Sequence, residues 1–421
     1  MDRRNFLKIS GLTLAGTLWN TAGLPPALVR ALYAAQSAIP GTSSGTAKKK
    51  TLVVIFQRGA ADGLSIVPPL GDPHYRAYRP TIALSDTGEN AALKLDGFFG
   101  LHPALAPLKP FWDSQQLAII HEAGIPVTTR SHFDAQDYME SGTPGLKATE
   151  DGYLNRALHA LPSPPSPFRA VALQPTLPRS LRGQVPVLAV NSLKDFSEGG
   201  ALKNASLALD FESMYRGALD QALHGVGEET FAAMKTLKEV VASDPVSESK
   251  YSGSVLGKRL CEIARLIKGD LGLQVAATDI GGWDTHVNEG GATGQLANRL
   301  KEFSEAIAAF ATDLGPRLDD VVLVTMTEFG RTVRENGNRG TDHGHGSVMF
   351  VLGGKVRGKR VIARWKGLAE QNLYEGRDLP LTTDYRDVML EVFTRHLGMA
   401  KTSEIFPGFP RLAQNTPHIF R

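Results

Sequence analysis

Cysteine is nearly absent from this 421-residue sequence, in which Cys261 stands alone. A single cysteine excludes an intramolecular disulfide and a cysteine-rich zinc site. Any metal would therefore have to bind Asp, Glu, His, Ser or Thr. A strong charge of one sign is missing too, because the formal net charge is only +3 at pH 7. This near-neutral balance argues against nucleic-acid binding through a basic field, so we expect no nucleic-acid partner.

The N-terminal apolar run is too short to cross a bilayer comfortably. It covers residues 9–19 and follows Arg3 and Arg4 in "MDRRNFLK". A basic start before a short apolar segment is typical of a signal peptide. The pattern RRNFLK resembles the twin-arginine signal, with Asp2 where Ser or Thr is more usual. The alternatives are an ordinary Sec signal and an uncleaved anchor.

The composition is ordinary for a soluble globular protein, since 42% of residues are hydrophobic and 21% are charged. We predict that residues 1–38 form a twin-arginine-type signal peptide with an uncertain cleavage site, and that residues 39–50 form a linker. Residues 51–421 would form a single domain with a Pro-rich and helical insertion around 160–268. The twin-arginine translocase would be the partner during export. The protein would be periplasmic or secreted, and its mature form would have no stable membrane span.

Apolar segments with strand and helix periodicity alternate along the domain. Five short apolar runs predict buried strands at residues 52–56, 116–124, 273–282, 320–330 and 347–354. Between the third and fourth, "GQLANRLKEFSEAIAAFATDLG" has apolar residues three or four apart, which predicts an amphipathic helix. This alternation indicates an α/β fold with a mainly parallel sheet and helices on both faces.

Polar side chains stand at every predicted strand end, where sites form in parallel α/β sheets. They are Asp62 after the first strand, Ser131 after the second, Asp284 and His286 after the third, Glu328 and Arg331 after the fourth, and Asp342, His343 and His345 in the loop before the fifth. Carboxylates with imidazoles suit zinc or manganese, and carboxylates alone also suit magnesium or calcium. The pattern predicts a divalent metal site of unknown metal identity.

Each of these residues also has a structural interpretation. Ser131 stands where a helix is predicted to start, so it suits either a nucleophile or an N-cap. Asp62 could cap a turn, and Arg331 could be an ordinary salt-bridge partner of Glu328. Histidines 102, 121 and 132 are expected to be structural.

The sequence resembles a known family. The segments "RSHFDAQDYMESG", "GGWDTH", "TEFGRTVRENGNRGTDHGHG" and "TTDYRDV" are similar to hallmarks of the family called domain of unknown function 1501, across most of residues 51–400. That family is grouped with the alkaline-phosphatase and sulfatase superfamily, so the resemblance implies an alkaline-phosphatase-like fold and a two-metal centre beside a Ser, Thr or Cys nucleophile.

The family pattern can be carried over by strand order. Asp62 matches the first Asp and Ser131 the nucleophile, while Asp284 and His286 stand near the D-x-x-x-H place with D-x-H spacing. Glu328 stands at the D-H place with Phe329 where His is expected, and His343 or His345 matches the final His. In a rival alignment, Asp342 and His343 form the D-H pair.

The resemblance implies an exported metal-dependent hydrolase of phosphate or sulfate esters, acting on a small-molecule or polymer ester. Ser131 would attack, with Arg130 and Arg331 binding substrate. The candidate metal ligands are Asp62, Asp284, His286, Glu328, Asp342, His343 and His345. The cofactor would be zinc, manganese, magnesium or calcium. The alternative is a non-catalytic metal- or ligand-binding or assembly protein on the same scaffold, which Phe329 and the D-x-H spacing favour.

Overall fold

The computed structural model describes residues 50–147, 149–162, 166, 168–193, 239, 250–410 and 413–421. The predicted signal peptide and almost all of the predicted linker lie outside the described residues. So does more than half of the insertion predicted around residues 160–268. The division into signal peptide, linker and a single domain with an insertion therefore stays a prediction.

A nine-stranded sheet forms the centre of the described part of the chain. Its strands are β1 (Thr51–Gln57), β4 (Leu117–Gly124), β5 (Ala170–Leu173), β6 (Leu188–Val190), β7 (Val275–Ile280), β8 (Val321–Met326), β9 (Ser347–Gly353), β10 (Arg360–Ile362) and β11 (Thr383–Asp384). The spatial order is β10-β4-β9-β8-β1-β7-β5-β6, with β11 also paired to β4. Two further strands, β2 (Leu93–Lys94) and β3 (Gly100–Leu101), form a short antiparallel pair.

Helices cover both faces of the sheet, as an α/β fold requires. They are α1 (Gly63–Ile66), α2 (Pro73–Tyr78), α3 (Lys109–Asp113), α4 (His132–Ser141), α5 (Tyr153–Ala160), α6 (Val255–Lys268), α7 (Gln295–Leu314) and α8 (Tyr385–Glu391). Side chains alternate across β1: Val53 and Ile55 pack with α6 and α7, whereas Leu52, Val54 and Phe56 pack with α4, α5 and α8. No helix among the described residues is at once long and apolar enough for a membrane span.

The sheet is mixed, so the prediction of a mainly parallel sheet was wrong in this respect. β9 runs antiparallel to both of its neighbours, β4 and β8, whereas the other pairings within this sheet are parallel. A parallel neighbour needs a long crossover connection, usually helical, and residues 327–346 contain no helix between β8 and β9. The sequence concealed this reversal because all seven residues of β9 are buried, as in a parallel strand.

The reversal of β9 determines where the polar loops meet. Strands β1, β4, β7 and β8 all end at one edge of the sheet, and the antiparallel β9 begins there. The loop before β9 therefore arrives beside the loops that follow the other strands. This edge is where the predicted site residues were expected.

Candidate metal centre

Four side chains from three segments converge at this edge. We call them the open cluster: His132 at the start of α4, Asp284 and His286 after β7, and His343 before β9. Glycine permits the close approach of the loops. A Cβ atom on Gly59, whose φ is +119°, would lie 2.8 Å from the backbone nitrogen of Asp284. A Cβ atom on Gly344 would lie 2.3 Å from the carbonyl carbon of Arg331.

Three atoms of the open cluster form a nearly equilateral triangle. The Nε2 atoms of His286 and His343 are 3.0 Å apart. Asp284 Oδ1 lies 3.1 Å from the first and 3.2 Å from the second. Two ligands of a tetrahedral zinc ion with bonds of about 2.0–2.1 Å would lie about 3.3 Å apart. The triangle therefore has the size of one face of a zinc coordination tetrahedron.

Hydrogen bonds on the outer ring nitrogens fix the tautomers of two histidines. Nδ1 of His286 is 3.2 Å from Oδ1 of Asp342, and Nδ1 of His343 is 2.9 Å from the carbonyl oxygen of Arg130. Both partners are acceptors, so each Nδ1 must carry the proton. In neutral rings the two Nε2 lone pairs then face each other, which is repulsive unless a proton or a metal ion lies between them.

His132 presents the same arrangement from α4. Its Nδ1 donates to Oε1 of Glu328 at 2.9 Å, which leaves Nε2 as an acceptor. This Nε2 is buried, has no hydrogen-bond partner among the residues that the structure describes, and lies 3.6 Å from Oδ1 of Asp284. His132, Asp284 and His343 each offer an atom within 4.8 Å of the other two. An outer acceptor on each imidazole is the usual support of metal-binding histidines, so these residues fit a divalent ion.

The charges around the cluster differ from residue to residue. The hydrogen bond to Glu328 raises the pKa of His132, whereas burial lowers the pKa of His343. Burial alone would raise the pKa of Asp284, but the hydrogen bond and charge of Arg331 outweigh it and hold that pKa below its ordinary value. Asp284 is thus an anion, and it needs a cation beside it.

Arg331 supplies one such cation and is wholly enclosed. Its side chain is fully buried and donates to Oδ1 of Asp284. Its Nε donates to the carbonyl oxygen of Ala60, its Nη1 to that of Thr341, and its Nη2 also to those of Gly59 and Trp283. This geometry joins the loops after β1 and β7 to the loop before β9. Its predicted role in substrate binding stays a prediction, and the contacts described are those of a structural clamp.

Glu328 and Asp342 stand behind the histidines. Glu328 is fully buried, and its Oε1 accepts from Gly59 N, His132 Nδ1 and Gln136 Nε2 at 2.8–2.9 Å. Burial would raise its pKa, but these hydrogen bonds hold it low. Asp342 Oδ1 accepts from Asn336 at 3.0 Å as well as from His286. Both predicted ligands thus orient histidines in the structure.

Asp62 lies elsewhere at the same edge, in what we call the closed cluster: Asp62, Arg79 and Glu289. All three side chains are buried. Arg79 donates to both carboxylate oxygens of Asp62, at 2.5 and 3.1 Å. Burial would raise the pKa of Asp62, but the charge and hydrogen bonds of Arg79 hold it low. The structure does not bring Asp62 into the open cluster.

The remaining predicted residues surround the cluster. Ser131 caps α4, its Oγ accepting from the backbone nitrogen of Asp134 at 3.4 Å. The Arg130 guanidinium donates to Glu375 at 2.7 Å and to Asp378 at 2.8 Å. His345 stacks its ring on Tyr374, with centroids 4.5 Å apart, and is not part of the open cluster.

Sequence analysis missed His132, which it expected to be structural. The available signal was its position directly after Ser131, at the first turn of a helix that begins at the carboxyl edge of the sheet. His102 and His121 differ from it, because both of their ring nitrogens bond to backbone groups in the core. Burial lowers the pKa of each to about 4.

The fold and this centre define an α/β protein with a candidate His/Asp metal site. The chain belongs to the family described as "Protein of unknown function (DUF1501)", whose model matches residues 49–406, so the resemblance in the sequence is confirmed. A comparison with curated proteins finds no match. Among solved structures, the chain is similar to the C-terminal periplasmic domain of EcEptC from Escherichia coli in complex with Zn, with 10% identity, 75% and 77% of the two chains covered and a TM-score of 0.35. At these values the similarity carries no argument about function.

Proposed function

We propose that the protein is an exported, metal-dependent hydrolase of phosphate or sulfate esters on an alkaline-phosphatase-like scaffold. The observation that carries the proposal is the convergence of three imidazole Nε2 atoms on Oδ1 of Asp284, each ring held from behind by an acceptor. Nitrogen-rich ligand sets favour zinc or a similar transition metal over magnesium or calcium. Asp284, His132, His286 and His343 would hold the ion.

The ion, when bound, would supply Lewis acidity toward an ester oxygen. Ser131 is the proposed nucleophile, because the residues on either side of it both support the open cluster. The Arg130 carbonyl orients His343, and His132 belongs to the cluster itself. The hydroxyl also lies at the N-terminus of the ten-residue α4, where backbone N–H groups favour an anion.

Arg130 would bind the anionic part of the ester. Its guanidinium is about one-third exposed, and one of its two carboxylate partners, Glu375, is half exposed. The other, Asp378, is fully buried and anchors the arginine. The side chain therefore keeps a solvent-facing side next to Ser131 while its orientation is held.

Metal content and ester hydrolysis of the full-length exported protein test the proposal together. We expect His343→Ala and Asp284→Asn to lose both the ion and turnover of model phosphate or sulfate esters. His345→Ala is the matched control, because it removes a histidine from the same loop but outside the open cluster, and it should keep the ion. A parent protein without metal and without turnover would contradict the proposal.

A non-catalytic metal- or ligand-binding or assembly protein is the second candidate. The observation that favours it is Arg331, which already neutralises Asp284 from a fully buried position. Tight metal binding without hydrolysis of either ester class would support this candidate over the first.

Export rests on the N-terminal sequence. Replacing Arg3 and Arg4 by Lys should retain the protein in the cytoplasm, because the twin-arginine pathway reads that pair. Fractionation of cells expressing parent and variant measures this. Unchanged export of the variant, or export in cells lacking the translocase, would reject the pathway.

A further inference from the structure

Glu289 lies behind the open cluster. It contacts the loop that carries Asp284 and His286 and the loop that carries His343. Its Oε2 accepts from the hydroxyl of Thr285 at 2.9 Å and from the hydroxyl of Thr341 at 2.7 Å. Thr285 stands between Asp284 and His286, and Thr341 stands two residues before His343. One carboxyl oxygen therefore connects the two loops.

The same two loops are joined by backbone contacts that leave little freedom. The backbone nitrogen of Thr341 donates to the carbonyl oxygen of Thr285 at 3.1 Å. A Cβ atom on Gly340 would lie 2.4 Å from the carbonyl carbon of His286. The backbone nitrogen of Glu289 donates to the carbonyl oxygen of Arg339 at 2.9 Å, which fixes the residue, and its side chain is fully buried. Its carboxyl group cannot move aside without breaking both threonine contacts.

The second carboxyl oxygen of Glu289, Oε1, is buried and accepts no hydrogen bond from any described residue. The charge of Asp62 adds to this burial in disfavouring an ionised Glu289. Burial beside Asp62 raises the pKa of Glu289 to about 8, whereas Arg79 holds Asp62 ionised. Glu289 is the protonated partner, and a glutamine amide would reproduce its donor and acceptor pattern.

We infer that Glu289 is a positioning residue of the metal centre, which sets the spacing between the loop of Asp284 and His286 and the loop of His343. The inference rests on the metal centre of the proposed function, but not on ester hydrolysis. Metal ligands need to be held within about 0.5 Å of their productive positions. Loss of an outer partner typically lowers metal affinity about 10–100-fold. The effect of Glu289 reaches the ion through Thr285 and Thr341.

The test measures zinc affinity of the full-length protein at neutral pH by competition with a chelator. We expect Glu289→Ala to bind zinc about 10–100-fold more weakly than the parent. Glu289→Gln should bind within about twofold of the parent, because it keeps both the acceptor and the donor. A buried carboxylate away from the site provides the control: Glu391 accepts from Ile419 N at 2.7 Å and Phe420 N at 3.1 Å. Glu391→Ala should lower stability without changing zinc affinity.

A milder pair of variants guards against misfolding of Glu289→Ala. Thr341→Ser keeps the hydroxyl that donates to Glu289, and Thr341→Val has the same shape without it. We expect zinc affinity to be kept in the serine variant and weakened in the valine variant. Equal affinities in this pair, or parental affinity in Glu289→Ala, would overturn the positioning role while leaving the metal centre intact. A parent protein that binds no zinc would overturn both.

Discussion

The open and closed clusters lie at the same edge of the same sheet, and each contains an aspartate that follows a buried strand, yet their hydrogen bonding differs. In the closed cluster, Asp62 accepts from both terminal nitrogens of Arg79 and from the backbone of Leu64. In the open cluster, Nε2 of His132 has no hydrogen-bond partner among the described residues, and the Nε2 atoms of His286 and His343 face each other at 3.0 Å. The Asp62 carboxylate is thus enclosed by donors, whereas the open cluster brings acceptor atoms of three imidazoles together.

This difference separates structural polar groups from a candidate site. Buried polar groups are normally satisfied, so converging lone pairs are the informative exception. A carboxylate after a buried strand is not informative alone, because Asp62 and Asp284 occupy equivalent sequence contexts. The closed cluster should therefore govern stability, and the open cluster should govern ligand binding.

Breaking the closed cluster should give the largest effect. Arg79→Met leaves Asp62 buried without its cation, and removing one partner of a buried ion pair typically costs about 3–5 kcal/mol of unfolding free energy. Denaturant unfolding of parent and variant measures the loss. By comparison, His286→Ala in the open cluster should change the stability of the metal-free protein by about 0.5 kcal/mol, as for a partly exposed side chain.

The pH dependence sharpens this test. Without Arg79, burial raises the folded pKa of Asp62 above its unfolded value of about 3.9, so the penalty grows as pH rises above that value. The loss should therefore be smaller at pH 5 than at pH 8. Adding Asp62→Asn removes the unpaired charge and should restore part of the stability at pH 8. A loss near 1 kcal/mol that is independent of pH would contradict the assignment of a closed ion pair.

Glu122 gives a second, smaller test at the same edge. It is buried at the bulge of β4, where its φ is +54°, and burial raises its pKa to about 7. The folded state holds its proton more tightly than the unfolded state, so stability falls as pH rises from about 4.3 to 7. Glu122→Gln should be more stable than the parent by about 2–3 kcal/mol at pH 8 and equally stable near pH 4. Unfolding at both pH values measures this, with exposed Glu370→Gln as the control for loss of a charge.

Much of the fold was predictable because burial leaves a direct pattern. The runs that predicted strands at residues 52–56 and 116–124 correspond to β1 and β4, and the helical periodicity of residues 294–315 corresponds to α7. Strand direction left no such pattern, since the antiparallel β9 is as fully buried as β1 and β8, which are parallel to each other. The short strands β5 and β6 also escaped prediction, because each has only three or four residues in a Pro-rich segment.

The site was predictable only as a set of loops. Strand-end residues Asp284, His286 and His343 do meet, and their loops were identified from the sequence. Which member of each loop faces inward could not be predicted, because it depends on backbone turns and on bonds such as that between His132 and Glu328. His132 was therefore overlooked, although its neighbour Ser131 was selected.

Ser131 carries a smaller expected effect on stability than Arg79 or Glu122 and separates two interpretations of one hydroxyl. As an N-cap, Ser131→Ala should cost about 1 kcal/mol, and Ser131→Gly only a few tenths. If the hydroxyl is the nucleophile, both variants lack it. Both should then lose ester hydrolysis to the same extent, although they differ in stability. Ser254, which caps α6 by accepting from Gly257 N at 3.0 Å, is the matched control: Ser254→Ala should lose similar stability and keep full hydrolysis. Turnover that survives in Ser131→Gly would leave this serine as a cap alone, and the open cluster would then have to act on its ligand without it.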